Sequence, residues 1–101
     1  NENLLDNAKK LGKHLLKQIY KLTDEFPGYV INPRGIGLFC AFDLPSTIER
    51  DKFLSKVIDR KLILLGSGDN SIRFRPHLNV CISDIDLAFE IIYDVIKDML
   101  N

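Results

Sequence analysis

Chain breakers divide this 101-residue sequence into two long helical reaches and a finely cut middle. All four prolines and five of the six glycines lie between Pro27 and Pro76. Before that block, Leu4, Ala8, Leu11, Leu15, Ile19 and Leu22 recur at three- and four-residue intervals, one stripe of an amphipathic helix. Lys9, Lys10, Lys13, Lys17 and Lys21 fall largely on its other faces, and Pro27-Gly28 predicts an end near Asp24–Phe26. Gly12 sits inside this helix at a cost of about 1 kcal/mol relative to alanine, which points to close packing against a neighbouring element. After the block, Ser83 with Asp86 is expected to start a last helix whose stripe is Ile85, Ala88, Ile92, Val95, Ile96 and Met99. Asp84 and Asp86 in its first turn suit the helix dipole.

The middle can hold only short elements. Tyr29-Val30-Ile31 reads as a short extended segment, followed by Asn32-Pro33 and a bend at Arg34-Gly35-Ile36-Gly37. Leu38–Leu44 is predicted to be a largely buried strand, closed by Pro45. Ser46 and Glu49 form an S-x-x-E capping box for a helix reaching about Arg60, with Phe53, Leu54, Val57 and Ile58 facing inward. Leu62–Leu65 is expected as a short buried strand, Gly66–Asn70 as a turn, and Ser71–Arg75 as a half-buried strand of period two that Pro76 stops. The expected fold class is α+β, a small three- to four-stranded, mainly antiparallel sheet with helices packed on one side.

Composition removes several functions. The length suits one domain, and 46% hydrophobic residues permit a core without disulfides or metals. Fourteen basic and fourteen acidic side chains, with no basic stripe, argue against nucleic-acid binding. No apolar run reaches the roughly 20 residues that span a bilayer, so no membrane is expected as a partner. The start, Asn1-Glu2-Asn3-Leu4-Leu5-Asp6, is polar and helical in character, so any targeting segment is expected upstream. Cys40 and Cys81 are far apart among apolar neighbours, with no CxxC, and are expected to be buried thiols in a reducing compartment, with no zinc site.

Arg73 and Arg75 are the best candidates for chemistry. Residues i and i+2 of a strand share a face, roughly 6.5–7 Å apart at Cα, and two guanidinium groups there could hold carboxylates through bidentate bonds. The alternative is that they pair with Asp43 or Asp69, or sit in solvent. Gly66-Ser67-Gly68 could cradle an anion on backbone N–H groups, although a tight turn explains its glycines as well. Arg34-Gly35-Ile36-Gly37 lacks the third glycine and following helix of a dinucleotide fingerprint. His14, on a helix near lysines, is expected to be exposed, and His77 follows a proline at a strand end. Neither is placed by spacing with a serine or cysteine nucleophile, and the aspartates show no metal-site spacing. Nearly every lysine lies on a polar helix face, unsuited to a Schiff base. A catalytic centre internal to this chain is therefore not expected.

Longer motifs carry a family resemblance. Arg34 through Asp43, RGIGLFCAFD, resembles the RGxG-T/L-FC-x-FD segment of the 4-aminobutyrate (GABA) aminotransferases, and Arg50-Asp51-Lys52-Phe53-Leu54 looks like the stretch after it. Ser71-Ile72-Arg73-Phe74-Arg75-Pro76 with Leu78 is similar to their SIRFRPxL motif, of which the broader class-III aminotransferases carry a shorter IRFxPxL version. The resemblance runs in order along essentially the whole chain. Two departures are Gly66-Ser67-Gly68-Asp69, where the family often has a longer glycine-rich stretch with a cysteine, and His77, where a smaller residue is usual.

That resemblance implies that residues 1–101 are the C-terminal small domain of a fold-type I transferase dependent on pyridoxal phosphate. The cofactor and its lysine would belong to a preceding large domain, with no catalytic or cofactor-binding residue here, so the 101 residues alone are expected to be inactive. Arg73 is implied as the ligand of the α-carboxylate of glutamate or 2-oxoglutarate, masked by a large-domain glutamate when the ω-amino substrate is bound. Arg75, absent from the broader motif, is assigned a structural or site-rim place. The implied reaction moves the amino group of GABA to 2-oxoglutarate in a homodimer, mitochondrial if eukaryotic and cytoplasmic if bacterial. The alternatives are another class-III enzyme acting on ornithine, acetylornithine or β-alanine, and an autonomous α+β module that binds a small anion or another protein.

Overall fold

A computed structural model describes residues 2–37, 39–60, 62, 64–74 and 81–101, with side chains from residue 9 onward. In chain order the elements are α1 (Glu2–Glu25), β1 (Ile31–Ile36), β2 (Phe39–Asp43), α2 (Thr47–Asp59), β3 (Leu65–Ser67), β4 (Ser71–Phe74) and α3 (Ile82–Leu100). The strands form one sheet in the order β1-β2-β4-β3, and every pairing is antiparallel. One face of this sheet carries the helices and the other is open, the expected α+β layer.

The helical stripes form the core as their spacing predicts. Leu11, Leu15, Ile19 and Leu22 of α1 are buried, as are Ile85, Ile92, Val95 and Ile96 of α3; the side chains of Leu4 and Ala8 lie outside the described residues. Phe89 joins the α3 stripe, while Ala88 and Met99 are only partly buried. Period-two alternation turns Cys40 and Phe42 of β2, and Ile72 and Phe74 of β4, into the same core. Four phenylalanine rings run through it in series, with centroids 6.1 Å apart for Phe53–Phe42, 5.9 Å for Phe42–Phe74 and 5.4 Å for Phe74–Phe89. At about 1.5–3 kcal/mol for each fully buried side chain of this size, such rings tie both central strands to α2 and α3.

Several local expectations shift. Tyr29 lies in a turn, with its N–H and that of Val30 donating to the Phe26 carbonyl, so the extended chain starts at Ile31. It then continues through Arg34-Gly35-Ile36, which is strand and not a bend. A bulge between Ile31 and Arg34, with Asn32 at φ 54°, absorbs Pro33, and an edge strand tolerates the missing N–H. Likewise β3 is Leu65–Ser67 and not Leu62–Leu65, because Ser67 pairs with Ser71 and the tight turn occupies only Gly68-Asp69-Asn70. Leu65 is consequently exposed, while Leu62 and Leu64 pack on the core without pairing.

The helix ends are also adjusted. Ser46 caps α2 by accepting from the Glu49 N–H at 3.2 Å, but the Glu49 carboxylate accepts from the Tyr29 hydroxyl at 2.6 Å instead of closing the box. Ile58 of α2 faces solvent, one position beyond the buried Val57. The cap of α3 is Cys81, not Ser83. Asp84 reaches back to the Cys81 N–H at 3.1 Å, a bond that holds its carboxyl below the usual range. Cys81 is therefore exposed, against expectation, whereas Cys40 is buried and its thiol is pushed up to about 11.

The expected close packing at Gly12 is present. A Cβ there would lie 2.3 Å from the carbonyl oxygen of Gly37, in the β1–β2 turn where Gly37 takes φ 58°. A helical Gly→Ala change ordinarily stabilises by about 0.4–1 kcal/mol. Here Gly12→Ala is expected to destabilise by about 1–3 kcal/mol, the usual cost of overpacking, as a lower urea midpoint with an unchanged slope.

Candidate functional site

The open face of the sheet holds the candidate site. In β4, Ile72 and Phe74 point into the core, so Ser71 and Arg73 project from the other side. Arg73 stands between Ala41 of β2 and Leu65 of β3, its cross-strand partners. Alanine keeps the space beside the guanidinium free of bulk. Ile36 and Phe39, paired at the far end of the same face, are exposed. Arg75 and His77 lie outside the described residues, so the proposed arginine pair is represented by Arg73 alone.

Arg73 is exposed, and among the described residues its guanidinium has no ion pair and no hydrogen bond. Its suggested partner Asp43 is occupied elsewhere. Arg34 Nη1 lies 3.0 Å from Asp43 Oδ1 and 2.8 Å from the Asn32 carbonyl, and Nη2 donates to Ser71 Oγ at 3.0 Å. Ser71 Oγ and Asn32 Nδ2 both donate to the same carboxylate, at 2.5 and 2.9 Å. Burial alone would raise the Asp43 carboxyl. The bonds from Ser71, Asn32 and Arg34, with the Arg34 charge, bring it below its ordinary value. Two arginines thus share one face, one neutralised within the sheet and the other available. Sequence reasoning treated Arg34 only as motif and bend. Cross-strand parity counted from the Ile36–Phe39 pair, which sets Arg34 opposite Ala41 and so on the face of Asp43, was the signal that would have found it; counting from Ile31–Asp43 fails because of the bulge.

The glycine-rich loop has the opposite polarity to an anion cradle. Arg50 of α2 is the one buried charged residue among the described residues, 9% exposed. Its Nη1 donates to the carbonyls of Ser67 at 3.2 Å and Ser71 at 3.1 Å, Nη2 approaches that of Gly68 at 3.5 Å, and Nε donates to Asp51 at 2.8 Å. The loop aims carbonyl oxygens at a cation, and of its glycines only Gly68, at φ 55°, serves the tight turn, while Gly66 lies in β3.

His14 is not a free surface group but contacts Asp86 at 2.6 Å, with Gln18 on the same carboxylate at 3.2 Å, across the α1–α3 seam. Among the described residues no cluster of His, Cys, Asp or Glu could hold a metal ion, and no helix is long and apolar enough to cross a membrane. The described lysines are exposed, apart from Lys56, which is partly buried and paired with Asp98 at 3.2 Å. None offers the desolvated amine that pyridoxal phosphate attaches to.

The fold, the strand-borne arginine and the flanking motifs define a class of protein. A model of the family described as aminotransferase class-III matches residues 1–96, and the chain belongs to that family. It is 41% identical over 87 residues to the L-lysine-epsilon aminotransferase of Mycobacterium bovis, covering 86% of this chain and 19% of that protein. It is 38% identical over 97 residues to the mitochondrial 4-aminobutyrate aminotransferase of Sus scrofa, covering 96% and 19%. The structure of lysine aminotransferase from M. tuberculosis in the internal aldimine form superposes with a TM-score of 0.91 at 38% identity, covering 93% of this chain and 22% of that one. The chain spans about a fifth of the length of these relatives. The resemblance to the GABA-type motifs thus holds at the level of the family, with lysine enzymes equally near.

The Arg34–Asp43 pair carries a pH signature. A carboxyl lowered on folding contributes stability that is complete above its unfolded value, about 3.9, and is lost as pH falls through the folded value. Asp43→Asn is therefore expected to be less stable than the parent chain at pH 7, with the gap closing as urea unfolding is repeated below about pH 4.

Proposed function

We propose that residues 1–101 are the C-terminal small domain of a pyridoxal-phosphate-dependent ω-aminotransferase that moves the amino group of 4-aminobutyrate to 2-oxoglutarate, giving succinate semialdehyde and glutamate. The observation that carries this reading is Arg73, an unneutralised guanidinium on the open face of the sheet in a chain of the class-III family. In this reading the cofactor, its lysine and its phosphate contacts belong to a large domain outside these residues, and the complete protein works as a homodimer. Pyridoxal phosphate supplies the electron sink for the transfer when bound.

The task of this chain is to discriminate carboxylates. GABA carries one and glutamate two, so a single pocket needs its second cation in only one half-reaction. Arg73 is always charged and grips a carboxylate through two parallel bonds. Once the open face is covered by the rest of the protein, leaving that charge unpaired would cost several kcal/mol. Either the α-carboxylate of the oxo-acid substrate or an acid standing in for it must then occupy the site. Arg75 is assigned to the rim of this site or to a structural place.

A second reading has a specific observation behind it, the 41% identity with lysine-epsilon aminotransferases, and replaces GABA with lysine as amino donor. Relatives include a mitochondrial enzyme and bacterial ones, so the compartment follows the source of the complete protein. A half-reaction assay separates the donors. Cofactor absorbance is followed after adding GABA, lysine, ornithine or β-alanine alone, and then 2-oxoglutarate. Conversion by GABA and reversal by 2-oxoglutarate supports the first reading, and conversion only by another amine replaces the donor. Arg73→Ala is expected to slow the 2-oxoglutarate half-reaction by about two orders of magnitude while sparing the GABA half-reaction. Arg73→Lys should fall between, and equal loss in both halves would sink the assigned role.

A further inference from the structure

We infer that Arg50 is a positioning residue for Arg73, holding the carboxylate-binding strand in place from inside the core. This rests on the reading of Arg73 given above. Ser67 and Ser71 are the cross-strand pair that closes the β3–β4 turn, and one guanidinium nitrogen of Arg50 binds both of their carbonyls. Arg50 therefore fixes both ends of the turn at once, and Arg73 stands two residues further along the same strand. The two arginines act from opposite sides, one gripping the backbone from beneath and the other projecting from the open face.

The loop has other anchors, but none does the same work. Thr47 Oγ1 donates to the Asp69 carbonyl and Asn70 Nδ2 to that of Leu44, both at 2.6 Å, which ties down the tip. Among the described side chains only Arg50 spans the two strand ends. Gly66 makes room for it, since a Cβ there would lie 2.9 Å from Nη1. Stability by itself does not call for a buried cation, because apolar replacement of buried charges is often neutral or stabilising. A planar fork that reaches several carbonyls is what a lysine or an aliphatic side chain cannot reproduce.

The test compares two unreactive ligands, glutarate with two carboxylates and butyrate with one, by calorimetry on the complete protein. Half-reaction rates with pyridoxal phosphate bound are measured in parallel. Arg50→Met is expected to weaken glutarate binding, and to raise the 2-oxoglutarate concentration for half-maximal rate, each about tenfold through misplacement of Arg73. Butyrate binding and the amino-donor half-reaction should stay within about twofold. Gly66→Ala, which keeps Arg50 but pushes a methyl against its guanidinium, should act in the same direction and serves if Arg50→Met does not fold. Arg50→Lys should restore only part of the loss. If Arg73→Ala is selective for the dicarboxylate while the Arg50 and Gly66 variants lose both ligands alike, or neither, Arg50 is only structural and the inference is overturned. If Arg73→Ala itself is unselective, the reading of Arg73 fails and takes this inference with it.

Discussion

The two central strands are fastened to their helices by the rings of Phe53, Phe42, Phe74 and Phe89, and everything on the open face inherits its position from that row. Phe42 and Phe74 belong to β2 and β4, the inner pair of the sheet, while Phe53 and Phe89 come from α2 and α3. The Phe74–Phe89 pair is stacked, with planes 10° apart. Because side chains alternate across a strand, burying Phe74 and Ile72 on one side obliges Arg73 to leave on the other. A one-residue slip of β4 would bury the arginine and expose the phenylalanine, so the hydrophobic term also guards the charge.

On the open face, charge is handled in two distinct ways. Asp43 sits where β1, β2 and β4 converge and collects bonds from Arg34, Asn32 and Ser71, which closes that end of the face electrostatically. Arg73, one row away beside Ala41, meets no acid among the described residues. Among the described residues, neutralising one arginine locally leaves Arg73 as a single directional cation on this face, which suits the proposed discrimination between one and two carboxylates better than a diffuse basic patch.

Much of the layer was legible in the chain because period and punctuation agreed. The α1 stripe, the Pro27-Gly28 stop, the Ser46 cap and the alternation Ser71-Ile72-Arg73-Phe74 each depend on neighbours a few residues away. The missed features depend on partners far along the chain. The bulge at Asn32-Pro33 keeps β1 in the sheet because Asn32 reaches Asp43, eleven positions later. The boundaries of β3 follow from its pairing with β4, and Leu65 is exposed for that reason. Arg50 stood out only as part of a motif stretch, since nothing local signals that three carbonyls of a distant turn converge on it. The role proposed for Arg73 rests on a long motif, since i, i+2 arginines alone fit solvent equally well.

The approach of α1 to the β1–β2 turn bears on how the long helix is indexed along the sheet. Leucine stripes are forgiving, since a helix displaced by one turn, about 5.4 Å, still offers apolar groups to the same surface. The carbonyl of Gly37 is not forgiving, because only a residue without a β-carbon fits against it. Displacement by a turn would present Ala8 or Leu16 there, and both would collide. A missing methyl group thus works as a keyway, selecting one axial setting of α1 among several that greasy contact alone would accept.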